Sequence, residues 1–222
     1  MAGQDVKGKL KTAGVDKVAS IKVKEKDSGN KIAVLYAEGE IRDDDSSSPF
    51  SADEQVISEE MANKLRKLKD DDDVKAVVFR VNSPGGSAYI SEQIWKEVVE
   101  LKAKKPIVVS MGNYAASGGY YISCAANKIV AERTTLTGSI GVFGVVRNFT
   151  GTFDKVGVTT DIVKTNTFAD LGDISRPMRE DEKALIQRGV EQTYDLFLTR
   201  CADGRGMTKA EIDSIGQGRV WT

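Results

Sequence analysis

Ser117 lies in the run Asn113-Tyr114-Ala115-Ala116-Ser117-Gly118-Gly119-Tyr120-Tyr121, just past the apolar stretch Ile107-Val108-Val109-Ser110-Met111, in a chain without histidine. A serine flanked by small residues and followed by two glycines at the end of a strand reads as an exposed nucleophile on a strand-to-helix turn. Acyl transfer through a serine needs the nucleophile, a base to take its proton, and donors aimed at the developing oxyanion. The Gly118 N–H, at the start of the following helix, is one candidate donor. The turn Asn82-Ser83-Pro84-Gly85-Gly86 closes the preceding strand. In a parallel sheet that turn shares an edge with Ser117, so the N–H of Gly85 or Gly86 is a candidate second donor. Glycine-rich turns of this kind also serve simply to let a helix pack closely on a strand.

Without imidazole the workable base is a lysine, brought from a pKa of about 10.4 toward 7–8 by burial. Ser139, the second serine bracketed by glycines (Gly138-Ser139-Ile140-Gly141), could orient such an amine or cap its own turn. Most lysines fall in solvated, charged stretches. Lys164, closing an apolar segment, is the one in-chain candidate.

Alternating elements must position these groups. A strand is predicted over 31–41, a helix over 52–69, a strand over 74–81, a helix over 89–104 and a strand over 106–111. A helix is expected to start at Ser117, a short buried strand at 128–131, a short helix near 149–156 and a strand near 160–164. Residues 165–178 are irregular. A long amphipathic helix over 179–200 presents Leu185, Ile186, Val190, Leu196 and Phe197, and Thr208 caps a last short helix. Strand–helix alternation predicts an α/β fold with a mostly parallel sheet and right-handed crossovers. Asp70 to Asp73 read as a solvated turn between elements, since no ligand loop accompanies them.

At 222 residues with 40% apolar and 29% charged residues, the chain can bury a substantial core. A net charge of −1 argues against general nucleic-acid binding. No apolar run reaches the roughly 18 residues of a membrane span, and the N-terminus lacks the apolar core of a signal peptide. Cys124 and Cys201 are too few and too far apart in sequence for a metal site, and Cys124 reads as a buried thiol. No cofactor and no metal are expected. Residues 1–29 look like a linker or the end of a preceding unit, and 30–222 like a domain truncated at its C-terminus.

The runs R-V-N-S-P-G-G-S at 80–87, K-P-I-V-V-S-M-G at 105–112, A-A-S-G-G-Y-Y-I at 115–122 and L-T-G-S-I-G-V-F-G at 136–144 closely resemble bacterial signal peptide peptidase A. G-R-G-M-T at 204–208 and G-R-V-W-T at 218–222 fit as well. This family of Ser/Lys-dyad proteases has the Clp-protease/crotonase-like fold of repeated ββα units. The resemblance, over about residues 30–222, implies Ser117 as nucleophile, Ser139 as the serine positioning the base, and Gly118 with the Gly85–Gly86 turn as oxyanion donors. The family's base lysine belongs in the loop after Lys164, where this chain has Ala169; Lys164 matches a non-catalytic lysine.

In longer family members, tandem repeats divide the dyad, the N-terminal repeat supplying the lysine and the C-terminal repeat the serine. The resemblance therefore implies the serine-bearing C-terminal half of such a protein, nearly inactive alone, or else an inactive paralogue. It further implies apolar peptide substrates, the N-terminal repeat as partner and a dome-like oligomer, a tetramer of full-length chains. A bacterial inner-membrane location follows, with an anchor absent here and the catalytic domain on the periplasmic side. A non-catalytic scaffold repeat and a crotonase-like acyl-CoA enzyme are the alternatives, and the latter has no need of Ser117.

Overall fold

Three apolar segments carry the architecture of the computed structural model, which describes residues 29–43 and 55–222. Strands β1 (Lys31–Glu38), β4 (Val74–Ser83) and β5 (Ile107–Ala116) lie side by side in parallel. Between the first two, β2 (Glu40–Ile41) and β3 (Val56–Ile57) form a small parallel pair, followed by helix α1 (Glu60–Asp70). Helix α2 (Ala88–Lys104) makes the crossover from β4 to β5. After β5 come the one-turn helix α3 (Gly118–Tyr121), β6 (Lys128–Val130) and β7 (Leu136–Gly138). Both β6 and β7 pair in parallel with β5, the first along its beginning and the second along its end. Helices α4 (Thr150–Val156), α5 (Glu180–Arg205) and α6 (Lys209–Ile215) follow, and β8 (Val220–Trp221) closes antiparallel on β7.

Alternation fixes which face of the sheet is covered. Val77, Phe79 and Val81 on β4, and Ile107, Val109 and Met111 on β5, point to one side. There they meet Ile90, Ile94, Val98 and Leu101, a single face of α2, together with Met61 and Leu65 of α1. Burying each such aliphatic side chain contributes roughly 1.5–3 kcal/mol. Ser87 caps α2 by accepting from the Ile90 N–H. The two helices are pinned by the buried carboxylate of Glu97, which accepts from Arg66 at 2.6 Å and Lys69 at 3.4 Å.

A second apolar cluster gathers Tyr121, Cys124, Ile140, Phe197, Leu198, Cys201 and Ile212, fastening the C-terminal half of α5 to α3 and the chain just after it. The N-terminal half of α5 is held differently. Glu182, almost fully buried, takes both Arg176 and Arg179, and Arg176 also holds Asp170, which pairs with Lys164. Hydrogen bonds from Arg176 bring the Glu182 pKa down to about 2, and those from Lys164 and then Arg176 hold Asp170 well below the usual carboxylate range. Depressed carboxylates stabilise the fold above their ordinary pKa of about 4, and that stabilisation is lost as pH falls toward 2. Thermal melts followed by circular dichroism should therefore show a Tm that is flat with respect to these groups down to about pH 5 and declines below it. Glu182→Gln should lower the plateau and shallow the acid decline; an unchanged acid limb would remove Glu182 from the cause.

Several elements differ from expectation. The first predicted strand is broken by Gly39 into β1 and β2. The predicted helix over 52–69 starts only at Glu60, because Ile57 is drawn fully into the core as part of β3; its residues 52–54 lie outside the described residues, as do residues 1–28 of the linker predicted over 1–29. Residues 160–164 form no strand: no ladder partner reaches them, and Val163 is 98% exposed. Strand β6 is an edge with Lys128 and Val130 exposed, not a buried strand. Leu185 on α5 is exposed, since the apolar cluster that holds this helix buries only its later turns, from Phe197 on. Of the turn expected over Asp70–Asp73, Asp70 ends α1 and Asp71–Asp73 form the exposed connection.

Candidate active site

Strand β5 runs on past Met111 to Ala116 and delivers Ser117 at its end. Its register against β4 slips between Val81 and Ser83. The Asn82 side chain covers the slip by accepting the Tyr114 N–H at 3.1 Å. Ser117 has φ 51° and ψ −121°, a conformation that non-glycine residues rarely adopt and that marks functional turns. It is held there by its own N–H donating to Gly138 O at 2.9 Å and by its carbonyl accepting from Tyr121 N–H at 2.9 Å. The expected helix is a single turn, so its dipole contributes little, and what it offers locally is the backbone N–H of Gly118. Among the described residues that N–H has no protein acceptor.

The β5–β7 ladder pairs Ala116 with Gly138 and so brings Ser139, the residue after β7, beside Ser117, the residue after β5. Ser139 also has a positive φ, 49°, and its N–H donates to Arg219 O. On the other side of Ser117 stands the Gly85–Gly86 turn. The Gly85 N–H is committed to Ser83 Oγ at 3.1 Å. The Gly86 N–H has no acceptor among the described residues, although the flanking Gly85 carbonyl and Ser87 N–H both bond to Ile41. Of the two glycines, Gly86 is therefore the one with a free donor.

Ser117, Gly118, Ser139, Gly85 and Gly86 all line one cleft of about 990 Å³. Val190, Thr193, Tyr194 and Phe197 of α5 form its far wall, with Tyr121 and Val142 among the other lining groups. Sequence reading missed this wall. The i, i+3, i+4, i+7 spacing of those four residues was the available signal, and it is indistinguishable from an ordinary packing face. The wall is tied to the nucleophile turn by Glu92, which accepts from the Tyr121 hydroxyl and from Arg200, each at 2.5 Å. The Arg200 guanidinium also lies 3.9 Å from the Trp95 ring centroid. Burial first, and then the bond to Glu92, push the Tyr121 pKa up, so the phenol stays neutral and donating.

Among the described residues the lining includes neither lysine nor arginine, and its charged groups there are Glu40 and Glu191. Lys164 is outside the cleft, paired with Asp170 at 2.8 Å. Ala169 is exposed in the turn beside that pair and does not line the cleft either. No group of three or more histidine, cysteine, aspartate or glutamate side chains among the described residues could hold a metal ion.

The profile of the Clp protease family matches residues 50–140, in keeping with the expected fold, and that of peptidase family S49 matches residues 99–222. The chain is 43% identical to "Protease 4" of Salmonella typhi over 88% of its length and 31% of that protein's. It is 44% identical to "Protease 4" of Haemophilus influenzae over 86% and 30%. It is 36% identical to "Putative signal peptide peptidase SppA" of Enterococcus faecium over 94% and 60%. A ClpP1 mutant from Listeria monocytogenes superposes with a TM-score of 0.49 at 13% identity, covering 85% of this chain and 80% of that one. The chain thus spans about three tenths of the length of the two Protease 4 relatives. With more than half of its residues inside the family profile, this chain is a member of peptidase family S49.

Proposed function

We propose that the chain is the serine-bearing part of a Ser/Lys peptidase whose base comes from another S49 repeat. The carrying observation is a strained serine flanked by two backbone N–H groups that, among the described residues, have no acceptor, in a cleft whose described lining holds no lysine in a chain without histidine. Ser117 Oγ attacks the scissile carbonyl, and its proton passes to the incoming lysine amine. The N–H groups of Gly118 and Gly86 take the oxyanion, and the protonated amine then gives its proton to the leaving nitrogen. Water, activated by the same amine, releases the acyl group from Ser117. Ser139, next to Ser117, orients the amine.

The cleft's apolar wall suits apolar peptides, including signal-peptide remnants. The lysine-bearing repeat needs a docking surface, and the segment following the cleft supplies one. Phe143, Val145, Val156 and Val163 are 86, 76, 66 and 98% exposed, and α4 buries no residue. An apolar surface of this kind on one segment is the mark of an interface. We extend the proposal to an oligomer held at the bacterial inner membrane on its outer side. Among the described residues no helix is long and apolar enough to cross a membrane.

The test is to assay apolar peptide cleavage by this chain alone and after co-expression with a lysine-bearing S49 repeat. The chain alone should show background turnover, and the pair should show turnover that needs both Ser117 and the partner's lysine. Ser117-dependent turnover by the chain alone would overturn the divided dyad.

A further inference from the structure

Cys124 and Cys201 lie 77 positions apart in sequence, yet both are fully buried in the second apolar cluster. Their neighbourhood is set by how closely α5 approaches the chain after α3. A Cβ on Gly204 would fall 2.3 Å from the Cys124 carbonyl oxygen, so only glycine allows this backbone contact. Arg205 then donates to the same carbonyl at 3.3 Å. Cys201 is one turn before Gly204 on the same face of α5. The Cys124 thiol lies 3.6 Å from the carbonyl oxygen of Arg200, the residue preceding Cys201. Contact with Cys124, and then burial, hold the Cys201 pKa far above the usual thiol range.

We propose that Cys124 and Cys201 are a disulfide-forming pair, a modification site that staples α5 to the segment following the Ser117 turn. One thiolate attacks a disulfide oxidant, forming a mixed disulfide and releasing one thiol. The second thiolate attacks the protein sulfur of that mixed disulfide and releases the other thiol. Two electrons and two protons pass to the oxidant. Once folded, the thiols are buried and protonated and exchange poorly, so the bond is made while the chain folds. The redox state of the compartment in which folding occurs is thereby fixed into the wall of the cleft.

Denatured, reduced full-length chain should be refolded in parallel with glutathione disulfide and with reduced glutathione, alkylated in denaturant and weighed by intact-mass spectrometry. The oxidised sample should be monomeric, two hydrogen masses lighter than the unmodified reduced chain, and refractory to alkylation. Its Tm should exceed that of the reduced sample by several degrees, a difference absent from Cys201→Ala. Chain reduced in its native state and then given glutathione disulfide should acquire the bond far more slowly than refolding chain. Two alkylated cysteines after oxidative refolding, only glutathione adducts, or only chains linked to one another would overturn the pairing. A disulfide that leaves Tm unchanged would overturn the staple.

Discussion

Ser117→Ala, in the chain assembled with the proposed lysine-bearing partner, is expected to lower kcat/KM on apolar peptides by about 10⁴-fold or more. Loss of the hydroxyl removes the covalent route altogether. What remains is the weak catalysis available from the two N–H donors and from holding the peptide. The fold should not register the change. No hydrogen bond to Ser117 Oγ occurs among the described residues, so no buried partner is left unsatisfied. Alanine also meets the same backbone strain at φ 51° as serine does. Fluorophosphonate labelling, kcat/KM and Tm on the same preparation separate the outcomes. Labelling should vanish and turnover fall to that remainder while Tm moves by less than about 2 °C. Turnover near the unsubstituted rate in Ser117→Ala would end the nucleophile assignment, and with it the proposed mechanism.

How much of this could be read in the sequence depends on how local each feature is. The Ser117 turn, the Pro84-Gly85-Gly86 turn and helix α2 are encoded within a few residues by small residues, glycine and 3.6-residue periodicity, and they stand as expected. The meeting of Ser117 with Ser139 is different in kind. It depends on the β5–β7 ladder, whose strand β7 is three residues long and carries no signal for its partner. The same limit explains residues 55–70. Val56 and Ile57 fit a helical face as well as a strand, and pairing with β2 decides between them. Residues 160–164 are the converse case, β-branched residues with no ladder to join. Ala169 was singled out only by resemblance, since nothing about an alanine itself points to chemistry, and it is exposed in a turn that does not line the cleft. The choice between Gly85 and Gly86 needed the Ser83 hydroxyl, which takes one of the two donors.

Gly85→Ala should have the second-largest effect, and it tests the donor geometry rather than the nucleophile. Gly85 has φ +107°, where side chains are strained whatever the available space. Its added Cβ would stand 2.7 Å from the Gly118 nitrogen, 2.7 Å from the Ser117 Cβ and 2.9 Å from the Ala116 carbonyl oxygen. All three neighbours are backbone or the stem of the nucleophile, so no flexible side chain can swing aside. Either the Ser117 turn moves away, carrying the Gly118 N–H with it, or the Gly85–Gly86 turn withdraws and takes the Gly86 N–H. Each route costs one oxyanion donor, worth about 10²- to 10³-fold in kcat. KM should change little, because the α5 wall is untouched. Strain and crowding should also cost roughly 1–3 kcal/mol of stability. Gly206→Ala is the matched control, a glycine at φ +66° whose added Cβ meets nothing within 4 Å. If Gly85→Ala lowered Tm as expected yet left kcat intact, the crowding would be real but the oxyanion site would lie elsewhere. A loss of kcat with slowed fluorophosphonate labelling and an intact fold would place the donors where Gly85 presses on Gly118.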